Sequence, residues 1–170
     1  MTLIRKLSTV LALCAALSTS ALADNARGPS TPEERARVSS VAQEVRKDPK
    51  GATAANAAWF DQWIADVPDY ALMGGPVAKW CDRSARGELK GNIRFVYGVS
   101  AIDFQIKHQI LEARTPAEAA AVGLAGLEGV LATYETLLAK DAANRSPKFD
   151  AALERRSKGE LAAFIGELEQ

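Results

Sequence analysis

The chain has 170 residues with 21 basic and 21 acidic side chains, one histidine and two cysteines. This balance argues against a polyanion-binding surface, which normally leaves a basic excess or stripe; here Arg35, Arg37, Arg83, Arg86, Arg155 and Arg156 are interleaved with acids. Zinc and haem sites need clustered His and Cys ligands, which so few such residues cannot supply, so no metal and no cofactor is expected.

In chain order, Arg5 and Lys6 form a positive start, Leu7 to Leu17 is almost wholly apolar, and Ala21-Leu22-Ala23 supplies small residues at both recognition positions. That is the tripartite pattern of a secretory signal peptide, with cleavage expected after Ala23. The apolar run breaks at Ser18-Thr19-Ser20, short of the roughly 20 residues of a membrane span, and no second long apolar run is read later in the chain. Lipidation at Cys14 is the weaker alternative, because that site wants a small residue directly before the cysteine.

The expected mature chain has 147 residues (170 minus 23), with 19 basic against 21 acidic, a net charge of −2. It is expected to be exported, periplasmic or secreted, with no membrane span and no nucleic-acid partner. That length suits one domain with a core of its own. Cys14 leaves with the signal, so Cys81 has no intramolecular partner, and its neighbours Val77 and Trp80 favour burial as a small hydrophobe.

Residues 24–30 read as a disordered leader and 31–170 as a single domain. Thr31-Pro32-Glu33-Glu34 is a capped helix start with proline at the first position. Val38, Val41, Ala42 and Val45 follow at helical spacing, until Asp48-Pro49-Lys50-Gly51 stops the helix. A second helix is predicted from about Thr53 to Asp66, carrying Trp59 and Trp63. The segment 67–76, with two prolines and Gly74-Gly75, reads as a loop. A short helix over about 77–86 is closed by Gly87.

A helix over about 89–113 is apolar around most of its circumference and so is expected at the centre of the fold. Thr115-Pro116-Ala117-Glu118 repeats the capped start and opens a helix to about Lys140. Within it Gly123, Gly126 and Gly129 form a slanted strip where another backbone could approach closely. Ser146-Pro147 opens a further helix, and Leu161, Phe164, Ile165 and Leu168 make a last amphipathic one. The fold class is therefore all-α, a compact bundle of about five to seven helices around the central helix at 89–113.

For chemistry, a Ser-His-Asp or Cys-His mechanism would have to use His108, which lies on the central helix away from any Gly-rich elbow. Two carboxylates can hydrolyse glycosides without histidine, and Asp66 with Asp69, beside Trp63 and Tyr70, is the pair to consider. Acids at Pro-containing turns are ordinary, however, and no catalytic residue is assigned. Trp59 and Trp63 at i, i+4 suit a buried face, or with Trp80 could line a ligand cleft.

The segments Trp63-Ile64-Ala65-Asp66-Val67-Pro68-Asp69, Ala125-Gly126-Leu127-Glu128-Gly129 with Tyr134-Glu135, and Lys158-Gly159-Glu160-Leu161 resemble a family of uncharacterised bacterial exported helical proteins. The resemblance covers most of 32–166 and implies an exported helical domain, but no activity and no site residue. In that family the cysteine follows the Val-Pro-Asp turn more closely than Cys81 does, so no thiol function carries over.

Three functional readings follow. First comes a non-enzymatic binding or interaction protein of the cell envelope, whose partner is another envelope or extracellular protein and whose surface includes Tyr70, Leu72 and Met73. Second is a carrier of a small apolar ligand lined by Trp59, Trp63 and Trp80. Third is a carboxylate-dependent hydrolase using Asp66 and Asp69.

Overall fold

The structure, a computed structural model, describes residues 27–72, 74–111, 113 and 115–168. The expected signal peptide, the first part of the expected leader and Met73 lie outside the described residues. Among those described the elements are seven α-helices and a short 3-10 turn, with no strand: α1 Pro32–Glu44, α2 Pro49–Asp66, α3 Pro76–Ser84, α4 Gly87–His108, α5 Pro116–Lys140, the turn Ala142–Asn144, α6 Pro147–Ser157 and α7 Leu161–Leu168.

Local chemistry accounts for most of these boundaries. Thr31 and Thr115 both make capping boxes: their hydroxyls accept from the Glu34 and Glu118 amides at 3.3 and 3.2 Å, while the glutamates accept from the threonine amides at 2.9 Å. α2 begins four residues before the expected Thr53. Asp48-Pro49 not only ends the first helix but starts the second, because the Asp48 carboxylate accepts from the Gly51 amide at 2.9 Å and Pro49 occupies the first helical position.

At the far end of α4 the helix stops at His108, not near Ala113. Gln109 adopts a left-handed conformation (φ 54°), and the amide of Ile110 donates back to the Gln105 carbonyl at 2.9 Å.

The centre of the fold is the pair α4 and α5, which share the largest interface, with α1 and α2 covering another side of α4. Every residue from Phe95 to Asp103 is buried, as expected of a helix surrounded by others. α5 is itself long and apolar enough to cross a membrane, which corrects the expectation that no second long apolar run follows the signal peptide. Of its most apolar stretch 56% is buried in the bundle, against α4, α3, α6 and α7.

The glycine strip on α5 receives side chains of α4. A Cβ on Gly126 would lie 2.6 Å from the Tyr97 ring, and one on Gly129 would lie 2.0 Å from the Ser100 hydroxyl. Two residues of α4 thus sit in hollows that only glycine leaves open.

Ser30, expected in the disordered leader, belongs to the packed domain. It is 5% exposed, and its amide and hydroxyl donate to the Asp69 carboxylate at 3.1 and 2.6 Å. Arg35 closes the arrangement by donating to the Ser30 carbonyl.

Candidate ligand-binding site

The cleft that stands out lies where the 67–75 loop, α3 and α4 meet, with a volume of about 500 Å³. Its position follows from how the loop is held. Val67 and Tyr70 are buried in the core, and the Gln105 side chain on α4 donates to the Ala71 carbonyl at 3.1 Å. Leu72 then lies across α4 at Gly98, where a Cβ would come within 3.4 Å of its methyl groups. A loop tied at Asp69, Tyr70 and Ala71 can form a stable wall without secondary structure of its own.

Leu72, Ala78, Ile93 and Tyr97 supply the apolar lining, and Lys79, Arg83 and Arg94 supply cations, with Asp82 the one acid. Lys79 and Arg83 stand one turn apart on α3, so they project on one side of that helix. Arg94 comes from α4. Among the described residues none of these three cations has an ion-pair partner, whereas Arg145, Arg155, Arg156, Lys107 and Lys158 each lie within 4.0 Å of a carboxylate. Tyr97 is the fixed back of the cleft, its ring seated on Gly126 and its hydroxyl oxygen 3.7 Å from where a Gly123 Cβ would be.

A second groove of about 380 Å³ runs between α4 and α5 past Ser100, Asp103, Lys107 and Glu128. Its charges are already engaged. The buried Asp103 accepts from Ser39 at 2.7 Å and from Lys107 at 2.6 Å, tying α1 to α4, and Glu128 pairs with Arg156 at 3.5 Å. A third groove of about 200 Å³, at Ala120, Leu124 and Ile165, is lined by apolar side chains.

The residues singled out from sequence are scattered. Trp59 stacks on Trp63 with ring centroids 5.8 Å apart, under the Arg37 guanidinium at 3.8 Å. Trp63 is 2% exposed and also meets Phe60 and Tyr70. Trp80 belongs to a different cluster with Phe149 and Phe164, at 5.6 and 5.1 Å. The three tryptophans therefore do not converge on one site, and none lines the three grooves described.

Tyr70, expected on the surface, is 6% exposed because its ring turns inward onto Trp63. Leu72 remains exposed at 41%. Asp69 is a structural acceptor for Ser30, while Asp66 accepts from Gln62 at 2.8 Å.

His108 is exposed at the end of α4 with its ring 4.1 Å from that of Phe104. Cys81 is fully buried, as its neighbours implied, and burial pushes its thiol up to about 12. Among the described residues no group of three or more His, Cys, Asp or Glu could hold a metal.

Sequence reasoning missed Lys79 and Arg94 and treated Arg83 only as part of an interleaved charge pattern. The available signal was the i, i+4 pair on a short helix that directly follows the irregular segment. No family model, curated protein or solved structure matches this chain.

Proposed function

We propose that the chain is an exported, non-enzymatic binding protein, and that its binding site is the cleft between the 67–75 loop, α3 and α4. One observation carries this reading: an apolar-lined cleft of about 500 Å³ with three cations at its edge that have no ion-pair partner among the described residues, built on a loop anchored to the domain. Small-molecule sites commonly have volumes of about 300–1,000 Å³ and combine a mostly apolar lining with a few convergent polar groups.

Export is supported by the tripartite pattern of residues 1–23, which is also what the family resemblance implies. Binding is favoured over carboxylate hydrolysis because Asp69 holds Ser30 through both amide and hydroxyl donors, a structural task that leaves Asp66 without a second free carboxylate. The carrier reading moves from the tryptophans to this cleft, since Trp63 and Trp80 sit in separate packed clusters.

The test is native mass spectrometry of the protein, tagged after Gln170 and purified from the envelope fraction of its own host. A retained small molecule that disappears in a Gly74→Trp variant supports the reading. Gly74 lines the cleft and a Cβ there would meet nothing within 4 Å, so the new indole enters open space. A stoichiometric protein partner that is retained equally by this variant would overturn it.

A further inference from the structure

We infer that the ligand of the α3–α4 cleft is a small organic carboxylate with an apolar body, its headgroup held between Arg83 and Arg94 and its body lying on Ile93, Leu72 and Ala78. This rests on the preceding assignment of the cleft as the binding site. The two kinds of lining are the reason. Three cations against one acid leave the cleft with an excess of two positive charges, in a chain whose overall charge balances. A local excess of that kind draws an anion.

The remaining lining is aliphatic or aromatic, with Ile93 2% and Tyr97 6% exposed. A hydrated inorganic anion would leave that surface unused, and a neutral apolar ligand would leave the guanidinium groups unpaired. A carboxylate with an attached apolar body satisfies both. Arginine presents a planar fork that matches a carboxylate with two parallel hydrogen bonds, and two arginines from different helices can approach one headgroup from two sides. Lys79, one turn before Arg83, adds a third charge without a geometric demand.

The experiment compares octanoate with 1-octanol, which share a tail and differ in charge, by titration calorimetry on the mature chain in low salt. Octanoate is expected to bind at least about tenfold more tightly, with the advantage shrinking as salt is added. The Arg83→Gln/Arg94→Gln double variant should lose that advantage while keeping its affinity for 1-octanol. Both side chains are exposed, and an unchanged melting curve will show that the variant folds.

Equal affinity for the two ligands, both blocked by Gly74→Trp, would overturn the carboxylate inference and leave the cleft assignment standing. Binding untouched by Gly74→Trp would overturn both. Inorganic phosphate binding as tightly as octanoate would reduce the cleft to a bare anion site and overturn the inference, as would failure of both octanoate and 1-octanol to bind.

Discussion

Cys81 and the α5 glycines show how one position takes its chemistry from what surrounds it. The thiolate is the nucleophile in cysteine chemistry, and a thiol pushed up to about 12 by burial is protonated at any physiological pH. In the native protein Cys81 should therefore resist a thiol reagent, and should label at once when denaturant is added; rapid labelling without denaturant would overturn the placement.

Two glycines in helices have opposite expectations. Gly91 is exposed on α4 with nothing within 4 Å of a Cβ, so Gly91→Ala should raise stability by about 0.5–1 kcal/mol through helix propensity. Gly126→Ala brings the same propensity gain but drives a methyl to 2.6 Å from the Tyr97 ring, so the buried ring must shift off its seat on α5. Overpacking of this kind costs about 1–3 kcal/mol. The variant should be less stable than the parent in urea titration and, on the binding role proposed for the cleft, should bind octanoate more weakly because Tyr97 lines it.

At the scale of the elements, the start of α4 depends on a residue far along the chain. Arg86, at the cap position, makes no side-chain capping bond. The Asn144 side chain does so instead, accepting from the Glu88 amide at 2.9 Å and donating to the Leu137 and Asp141 carbonyls at 3.2 and 3.1 Å. Gly87 makes this approach feasible, with φ +54° and a Cβ position 2.3 Å from the Asn144 oxygen.

Asn144→Ala removes the cap and leaves a carbonyl of α5 without that donor, so a loss of about 1–2 kcal/mol is expected in thermal or urea unfolding. An unchanged midpoint would show that water replaces the cap without cost. The entry to α6 is fixed in a similar way. The Tyr134 hydroxyl donates to Asp150 at 2.6 Å and accepts from the Ser146 amide at 3.0 Å, and the Ser146 hydroxyl donates to the Ser84 carbonyl at 2.7 Å, joining α3, α5 and α6.

For the whole molecule, the buried thiol and phenols tie stability to alkaline pH. Burial pushes Cys81 up from 9.0, and it also raises Tyr70 and Tyr134 above their ordinary 10.0. Each group is neutral when folded and ionises at lower pH when the chain is unfolded. Their contribution is therefore fully present below about pH 9 and is lost as pH rises through 9 toward 12, because over that window the unfolded chain releases protons that the folded one keeps. Urea midpoints should fall from pH 8 to pH 11, and should fall less steeply in Cys81→Ala. A flat profile would rule out this linkage.

Much of the architecture was legible in the residues because it rests on local chemistry. The threonine capping boxes, the proline starts and the apolar side chains around most of the circumference of the helix at 89–113 are properties of short windows, so the all-helical class, the central helix and the burial of Cys81 could be read from them. Contacts between distant residues were not legible. Asn144 capping α4, Asp69 holding Ser30, Tyr70 turning inward onto Trp63 and the separation of Trp80 from Trp59 all depend on how helices cross. The cleft belongs to the same class. Lys79 and Arg83 share a helix, but Arg94 joins them only because α3 and α4 pack side by side. Spacing along a chain determines which side chains share a face, and only packing decides which faces meet.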